Sequence, residues 1–319
     1  MKKHNFSAGP CILPAEVMQK AAEAVVELDD SGLSLIEISH RSEAFVQIME
    51  KARSLALELL GLKDKGYQAL FLQGGASMEF LMVAYNLLET KAGYINTGTW
   101  SEKSIKEAKL FGSVVEIASS KDQNYKYIPK GYSVPNDLDY LHLTSNNTIF
   151  GTQFREFPKT KIPMVADMSS DIFSRKLDYS RFDLIYAGAQ KNMGPAGVCL
   201  AVVRNDLIER APAGLPTMLR YATFAAKNSM FNTPPCFAIY TVQLVLKWLE
   251  ETVGGLDAMA ARNQAKADML YGVIDESGFY KGTADADSRS LMNVTFRLPS
   301  EDLEKAFVAA ALENDLGGL

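Results

Sequence analysis

The sequence predicts an α/β protein with a mostly parallel sheet. Two observations lead there. Short apolar runs alternate with helical patterns along most of the chain, which is how a parallel sheet covered by helices is written in sequence. Chemically active or turn-forming residues also follow five of those runs directly: Gly74–Ser77, Trp100, Thr148, Asp167 and Lys191. In such sheets ligands bind beyond the carboxyl ends of the strands, so five scattered positions fall on one predicted edge.

In chain order, Asn5–Pro10 is rich in turn residues, and Pro14 precedes a helical pattern over Ala15–Leu28 that Asp29–Gly32 ends. Glu43–Leu60 reads as a long amphipathic helix, with Phe45, Ile48, Met49, Ala52, Leu55, Ala56 and Leu59 at helical spacing and Gly61 after it. Gln68–Leu72 is a strand, Gln73–Ser77 a glycine turn and Met78–Leu88 a helix. A strand, glycine turn and helix in succession can hold a phosphate on the unpaired amides of the helix start, though such turns also occur where nothing binds. Strands are predicted at Gly93–Asn96, Val114–Ile117, Tyr140–Thr144, Pro163–Ala166, Phe182–Tyr186 and Val198–Val203, with a helix at Ser101–Phe111. Residues 119–137 show no period. A proline- and glycine-bearing loop runs to about Asn228, followed by the polar turn Ser229–Pro235 and an apolar helix over Phe237–Glu250. Gly254-Gly255 is the best hinge candidate. A helix over Leu256–Asp275, an alternating strand over Met292–Leu298 and a last helix from Ser300 complete the pattern.

Hydrophobic residues make up 47% of the 319 and charged residues 22%, as in globular proteins. A net charge of −5 gives no general attraction to nucleic acid or an anionic membrane. The start of the chain lacks a signal-peptide pattern and no run has membrane-spanning length, so the expected location is the cytoplasm. Three cysteines, Cys11, Cys199 and Cys236, lie far apart and argue against a disulfide framework. His4, His40 and His142 show no metal-ligand spacing, and no metal site is expected.

Lys191 stands in Tyr186–Gly197, a stretch of small residues between two apolar runs. A lysine on a surface hairpin and an amine presented to a carbonyl ligand both fit this stretch. Asp167, about two dozen residues earlier, fits a helix cap before Met168-Ser169-Ser170 as well as a ligand carboxylate. Taken together, an amine, a carboxylate, an aromatic ring, a hydroxyl and a phosphate cradle suit pyridoxal 5′-phosphate: its aldehyde needs a lysine, its pyridine nitrogen a carboxylate, its ring face an aromatic and its phosphate helix amides.

Asn5–Pro10, Ser39-His40-Arg41, Gly74–Ser77, Ala166–Ser170, Tyr186–Gly197 and Ser229–Pro235 closely resemble the phosphoserine aminotransferase family, fold-type I enzymes of the class V aminotransferase group. The resemblance runs the length of the chain. It implies a large domain with a mostly parallel central sheet between helices, residues 16–254, and a smaller α/β domain, residues 255–319, with residues 1–15 packing near it. It implies that Lys191 forms the Schiff base and moves the proton, that Asp167 pairs with the pyridinium nitrogen, that Trp100 stacks on the ring and that Thr148 bonds the phenolate side. Ala76, Ser77 and Gln190 would hold the phosphate. Asn232 and Thr233 would reach the cofactor phosphate of a neighbouring subunit, making the enzyme a homodimer. Arg41, beside His40, would bind substrate; a salt bridge to Glu43 is the alternative for Arg41. The implied reaction is amino transfer from L-glutamate to 3-phosphohydroxypyruvate, in serine biosynthesis, with a related four-carbon substrate of pyridoxine synthesis as a second possibility.

Two departures accompany the resemblance. Some members carry arginine where this chain has Ser77. The family also continues past Leu319 with a His-Arg element and a Gly-Gly-x-Arg-Ala-Ser strand. The expectation is therefore an incomplete small domain in which cofactor chemistry survives better than substrate selection. Two further readings stand beside the leading one: a non-catalytic or weakly active cofactor-loaded dimer, and another class V enzyme.

Overall fold

The computed structural model describes residues 3–212 and 214–319. In chain order the elements are β1 (His4–Asn5), α1 (Ala15–Val26), α2 (Glu43–Leu59), β2 (Tyr67–Leu72), α3 (Gly75–Leu87), β3 (Lys91–Asn96), α4 (Thr99–Ala108), β4 (Ser113–Ser119), β5 (Leu141–Thr144), β6 (Asn146–Asn147), β7 (Thr152–Gln153), β8 (Met164–Asp167), β9 (Leu184–Gly188), α5 (Ala189–Asn192), β10 (Cys199–Arg204), α6 (Asn205–Arg210), α7 (Tyr221–Ala225) and α8 (Cys236–Lys247). A π-helical turn, Trp248–Val253, follows α8 directly. Then come α9 (Leu256–Ser277), β11 (Lys281–Gly282), β12 (Phe296–Arg297), α10 (Glu301–Glu313) and β13 (Leu316–Gly317).

Seven strands form the central sheet in the order β2-β10-β9-β8-β5-β3-β4. The pairs from β9 to β4 are parallel, whereas β10 is antiparallel to both β9 and β2. Because β10 runs against both neighbours, β2 points the same way as β9. The register then sets the edge: Leu72 and Gly188 both face Cys199, and Thr144 faces Asp167. The carboxyl ends of β2, β3, β5, β8 and β9 lie together, as the sequence predicts.

Strand alternation gives the sheet two different faces. Phe71, Ile95, Leu143, Met164, Ile185 and Leu200 pack on α2 and α8 in one apolar cluster. Leu72, Tyr94, Val165, Tyr186 and Cys199 pack against α3, α4 and α7 in the other. A buried side chain of this size contributes roughly 1.5–3 kcal/mol, so the three layers hold one another.

Among the elements that differ from the sequence reading, three bear on the site and its surroundings. The helix after β2 starts at Gly75, three residues early, because Gly74 (φ +90°) just before it and Gly75 (φ +64°) at its first position complete the turn; such angles suit glycine. The stretch containing Lys191 is a single helical turn, α5, and not a loop. The alternating Met292–Leu298 pattern forms only the two-residue β12, since Asn293 is drawn off to hydrogen-bond Asn146.

The amino-terminal segment joins the far end of the chain: β1 pairs in parallel with β13. Ser229 ties the 229–235 turn to the sheet edge, where its Oγ accepts the Phe71 backbone N–H at 2.8 Å. Replacing Ser229 by alanine leaves that buried N–H without an acceptor. A loss of about 1–3 kcal/mol is expected in urea unfolding; an unchanged midpoint would mean that another group takes the bond.

Candidate active site

Lys191 sits in α5, half-buried, just past the end of β9. Its Nζ donates to Thr148 Oγ1 at 2.8 Å and lies 4.9 Å from the Trp100 ring centroid. Thr148 arrives from the turn after β6, and Trp100 from the first turn of α4. Three separate elements thus meet at one amine. Burial pulls the Lys191 pKa down, while Asp167, Cys11 and Asp171 oppose that shift by their charge. The result favours the unprotonated, nucleophilic amine more than a surface lysine does.

Asp167 ends β8 and is 4% exposed. Burial raises its pKa, against Lys191 and the hydrogen bonds from Ser169. Its Oδ1 accepts both the backbone N–H and the hydroxyl of Ser169, at 3.0 and 2.6 Å. The cap-like reading of Asp167 is therefore met by Oδ1. Oδ2 has no hydrogen-bond partner among the described residues and is free for a ligand.

The start of α3 offers amides with neither a side-chain cap nor an acidic residue in the first turn. Gly188 faces it. A Cβ on Gly188 would lie 2.8 Å from Gln190 Oε1 and 3.5 Å from the Ala76 nitrogen. Gly188 thus keeps open a space lined by Gln190 and the Ala76 amide, beside exposed Ser77. These groups fit pyridoxal phosphate: amine, hydroxyl, indole face, free carboxylate oxygen and unpaired helix amides. The Trp100 Nε1 is buried without a partner.

The segment Gly9–Cys11 also reaches the site, a contact that the sequence alone did not signal. Cys11 N donates to Gln190 O at 2.9 Å, and a Cβ on Gly9 would sit 3.0 Å from Lys191 Cγ. Ser169 was visible only as part of a helix-cap pattern. Thr233 lies beside the glycine turn of its own chain, where its carbonyl accepts from Gln73 Nε2 at 3.1 Å; Asn232 next to it is half-buried. No hydrogen bond or ion pair among the described residues joins His40 or Arg41 to this cluster. His40 Nε2 is buried without a partner. Arg41 is exposed and makes no ion pair among the described residues, so the Glu43 salt bridge is absent there. No group of three or more histidine, cysteine or acidic residues among the described residues could hold a metal, and no described helix is long and apolar enough to cross a membrane.

The model of the family called Aminotransferase class-V matches residues 3–314. Phosphoserine aminotransferase of Desulfatibacillum aliphaticivorans is 58% identical over 99% of this chain and 88% of its own.

The chain belongs to the phosphoserine aminotransferase family of class V aminotransferases.

The solved phosphoserine aminotransferase of Bacillus circulans subsp. alkalophilus superposes with a TM-score of 0.97, at 48% identity over 100% of this chain and 89% of its own. The PLP-bound phosphoserine aminotransferase of Trichomonas vaginalis gives 0.93 at 32% identity, over 99% and 91%. The fold is thus that of a fold-type I phosphoserine aminotransferase.

Asp167 is among the charges that hold up the Lys191 pKa. In cofactor-free Asp167→Asn, the pH at which an acylating reagent half-labels Lys191 is expected to fall, as read by peptide mass spectrometry. An unmoved midpoint would mean that Asp167 is already neutral in the free site.

Proposed function

We propose that this chain transfers the amino group of L-glutamate to 3-phosphohydroxypyruvate, giving 2-oxoglutarate and O-phospho-L-serine, as a cytoplasmic homodimer. The enzyme is a pyridoxal-phosphate-dependent transaminase of serine biosynthesis. The observation that carries the reading is the Lys191 amine: half-buried, lowered in pKa by burial, and bonded to Thr148 beside Trp100.

When bound, pyridoxal phosphate supplies an aldehyde that condenses with amines and a ring that takes up the electron pair left when a Cα–H bond breaks. The chain supplies the rest. Lys191 Nζ would hold the group through its aldehyde and, when displaced by the substrate amine, would be the base that carries the proton from the substrate Cα to the cofactor's C4′ carbon. Asp167 Oδ2 would hold a proton on the ring nitrogen, with Ser169 fixing the carboxylate through Oδ1. Trp100 would cover the ring and exclude water from one side. Thr148 Oγ1 would bond the phenolate side. The Ala76 and Ser77 amides and Gln190 would take the phosphate, where the helix dipole would add to the attraction.

Arg41, an exposed cation without an ion pair among the described residues, and His40 beside it are assigned to the substrate's anionic groups, for which the guanidinium fork is suited. Asn232 and Thr233 are assigned to the cofactor phosphate of a second subunit. Residues 16–254 form the cofactor domain and 255–319 the smaller one in this reading. The β1–β13 pairing supports placing the amino-terminal segment with the smaller domain. A complete set of cofactor groups speaks for catalysis over a binding-only role.

Cofactor-loaded protein mixed with L-glutamate alone is expected to lose its visible absorption band. The band should return with 3-phosphohydroxypyruvate far faster than with pyruvate or glyoxylate, and Lys191→Ala should show no turnover. A band that glutamate leaves untouched would overturn the transaminase reading. Arg41→Ala is expected to raise KM for the phosphorylated acceptor about 10–100-fold, the worth of one charge-assisted contact. An unchanged KM would remove Arg41 from the substrate site.

A further inference from the structure

On the sheet face covered by α3, within electrostatic reach of Asp167, lies a second carboxyl with no part in the reaction described above. Glu79 belongs to the same helix whose first amides face Gly188, but its side chain turns inward and is 0% exposed. Its Oε2 accepts the Tyr221 hydroxyl at 2.7 Å, and its Oε1 has no partner. The titratable groups near enough to act on it, or be acted on by it, come from four elements: Tyr221 from α7, Asp167 from β8, Tyr186 from β9 and Cys199 from β10. None is a cation. An ionised Glu79 would thus be a buried anion with one neutral hydrogen bond and another carboxylate nearby, which is costly.

We propose that Glu79 is a positioning residue for Asp167: a neutral acid whose own charge state sets how strongly Asp167 holds a proton on the cofactor ring nitrogen. This rests on the assignment of Asp167 to that nitrogen. Glu79 and Asp167 are both buried and act on each other, so below neutral pH a single negative charge is favoured, and Glu79 leaves it to Asp167 by staying protonated. Burial pushes Glu79 up to about 7, against the Tyr221 hydrogen bond and with a further push from Asp167. As pH rises through neutrality Glu79 ionises. A second anion then acts on Asp167 and tightens its hold on a proton.

Glu79→Gln keeps the shape and removes the titration. In the cofactor-free protein, the raised pKa means that protonated Glu79 contributes stability in full below the ordinary glutamate value. That contribution fades as pH rises to about 7. The melting temperature of Glu79→Gln relative to wild type should therefore climb between about pH 4.5 and 7 and level off above. In the loaded protein, the visible band of Glu79→Gln should titrate about one pH unit below that of wild type. Tyr221→Phe, which removes the bond that favours ionised Glu79, should move the stability step to higher pH. A melting difference that ignores pH, or a step that stays in place in Tyr221→Phe, would overturn the neutral-acid assignment. Coincident band titrations, with the melting step present, would overturn the link to Asp167 alone. Wild type that forms no visible band on loading would overturn the cofactor reading, while the cofactor-free melting step is read separately.

Discussion

The structure depends on keeping an amine and a carboxylate together out of water. Lys191 and Asp167 are each pushed toward neutrality by burial and each pulled back by the other's charge. In bulk water the two groups would be an ordinary lysine and an ordinary aspartate. Their usefulness comes from the low-dielectric edge of the sheet, where a modest change in surroundings shifts the balance between charged and neutral forms. The parallel sheet makes this possible. It brings the carboxyl ends of five strands to one side, so that residues more than a hundred positions apart share one compartment.

The two sheet faces divide the work. The face toward α2 and α8 is apolar and supplies cohesion. The face toward α3, α4 and α7 carries a buried polar layer. Tyr94 and Tyr140 share a hydrogen bond of 2.8 Å, and His142 Nε2 and Tyr186 Oη another of 2.8 Å. His142 stacks on Tyr94 with ring centroids 4.8 Å apart, and burial lowers its pKa to about 3, so it stays neutral. Such a layer is costly to build and tolerates few arrangements. It adjoins Asp167, which pairs with Tyr186 in the sheet register.

Thr148 is held by a second buried network. Asn146 bonds Ser170, Asn293 and Ser290, and Asp171 accepts from Ser145 and from Gln153 Nε2 at 3.0 Å. These bonds reach from the segment after β8 through the 145–153 stretch to the segment before β12. The turn that presents the Thr148 hydroxyl is thus set partly by residues 290–293, far along the chain.

The sequence by itself determined the α/β class, the strands of the edge, and the identity of Lys191, Asp167, Thr148 and Trp100 as groups of one site. It could do so because strand period and turn chemistry are local, and because parallel topology converts "after a strand" into "at this edge". The family motifs carried the reaction. The tertiary structure alone decided what depends on contacts between distant segments. It turned the Lys191 stretch into a helical turn, reduced Met292–Leu298 to two strand residues, and laid Gly9–Cys11 against Lys191. It also buried Glu79 under the sheet face within electrostatic reach of Asp167. A glutamate in a helical pattern reads as solvated, and only the sheet face that closes over it, with a tyrosine but no cation, makes its ionisation costly.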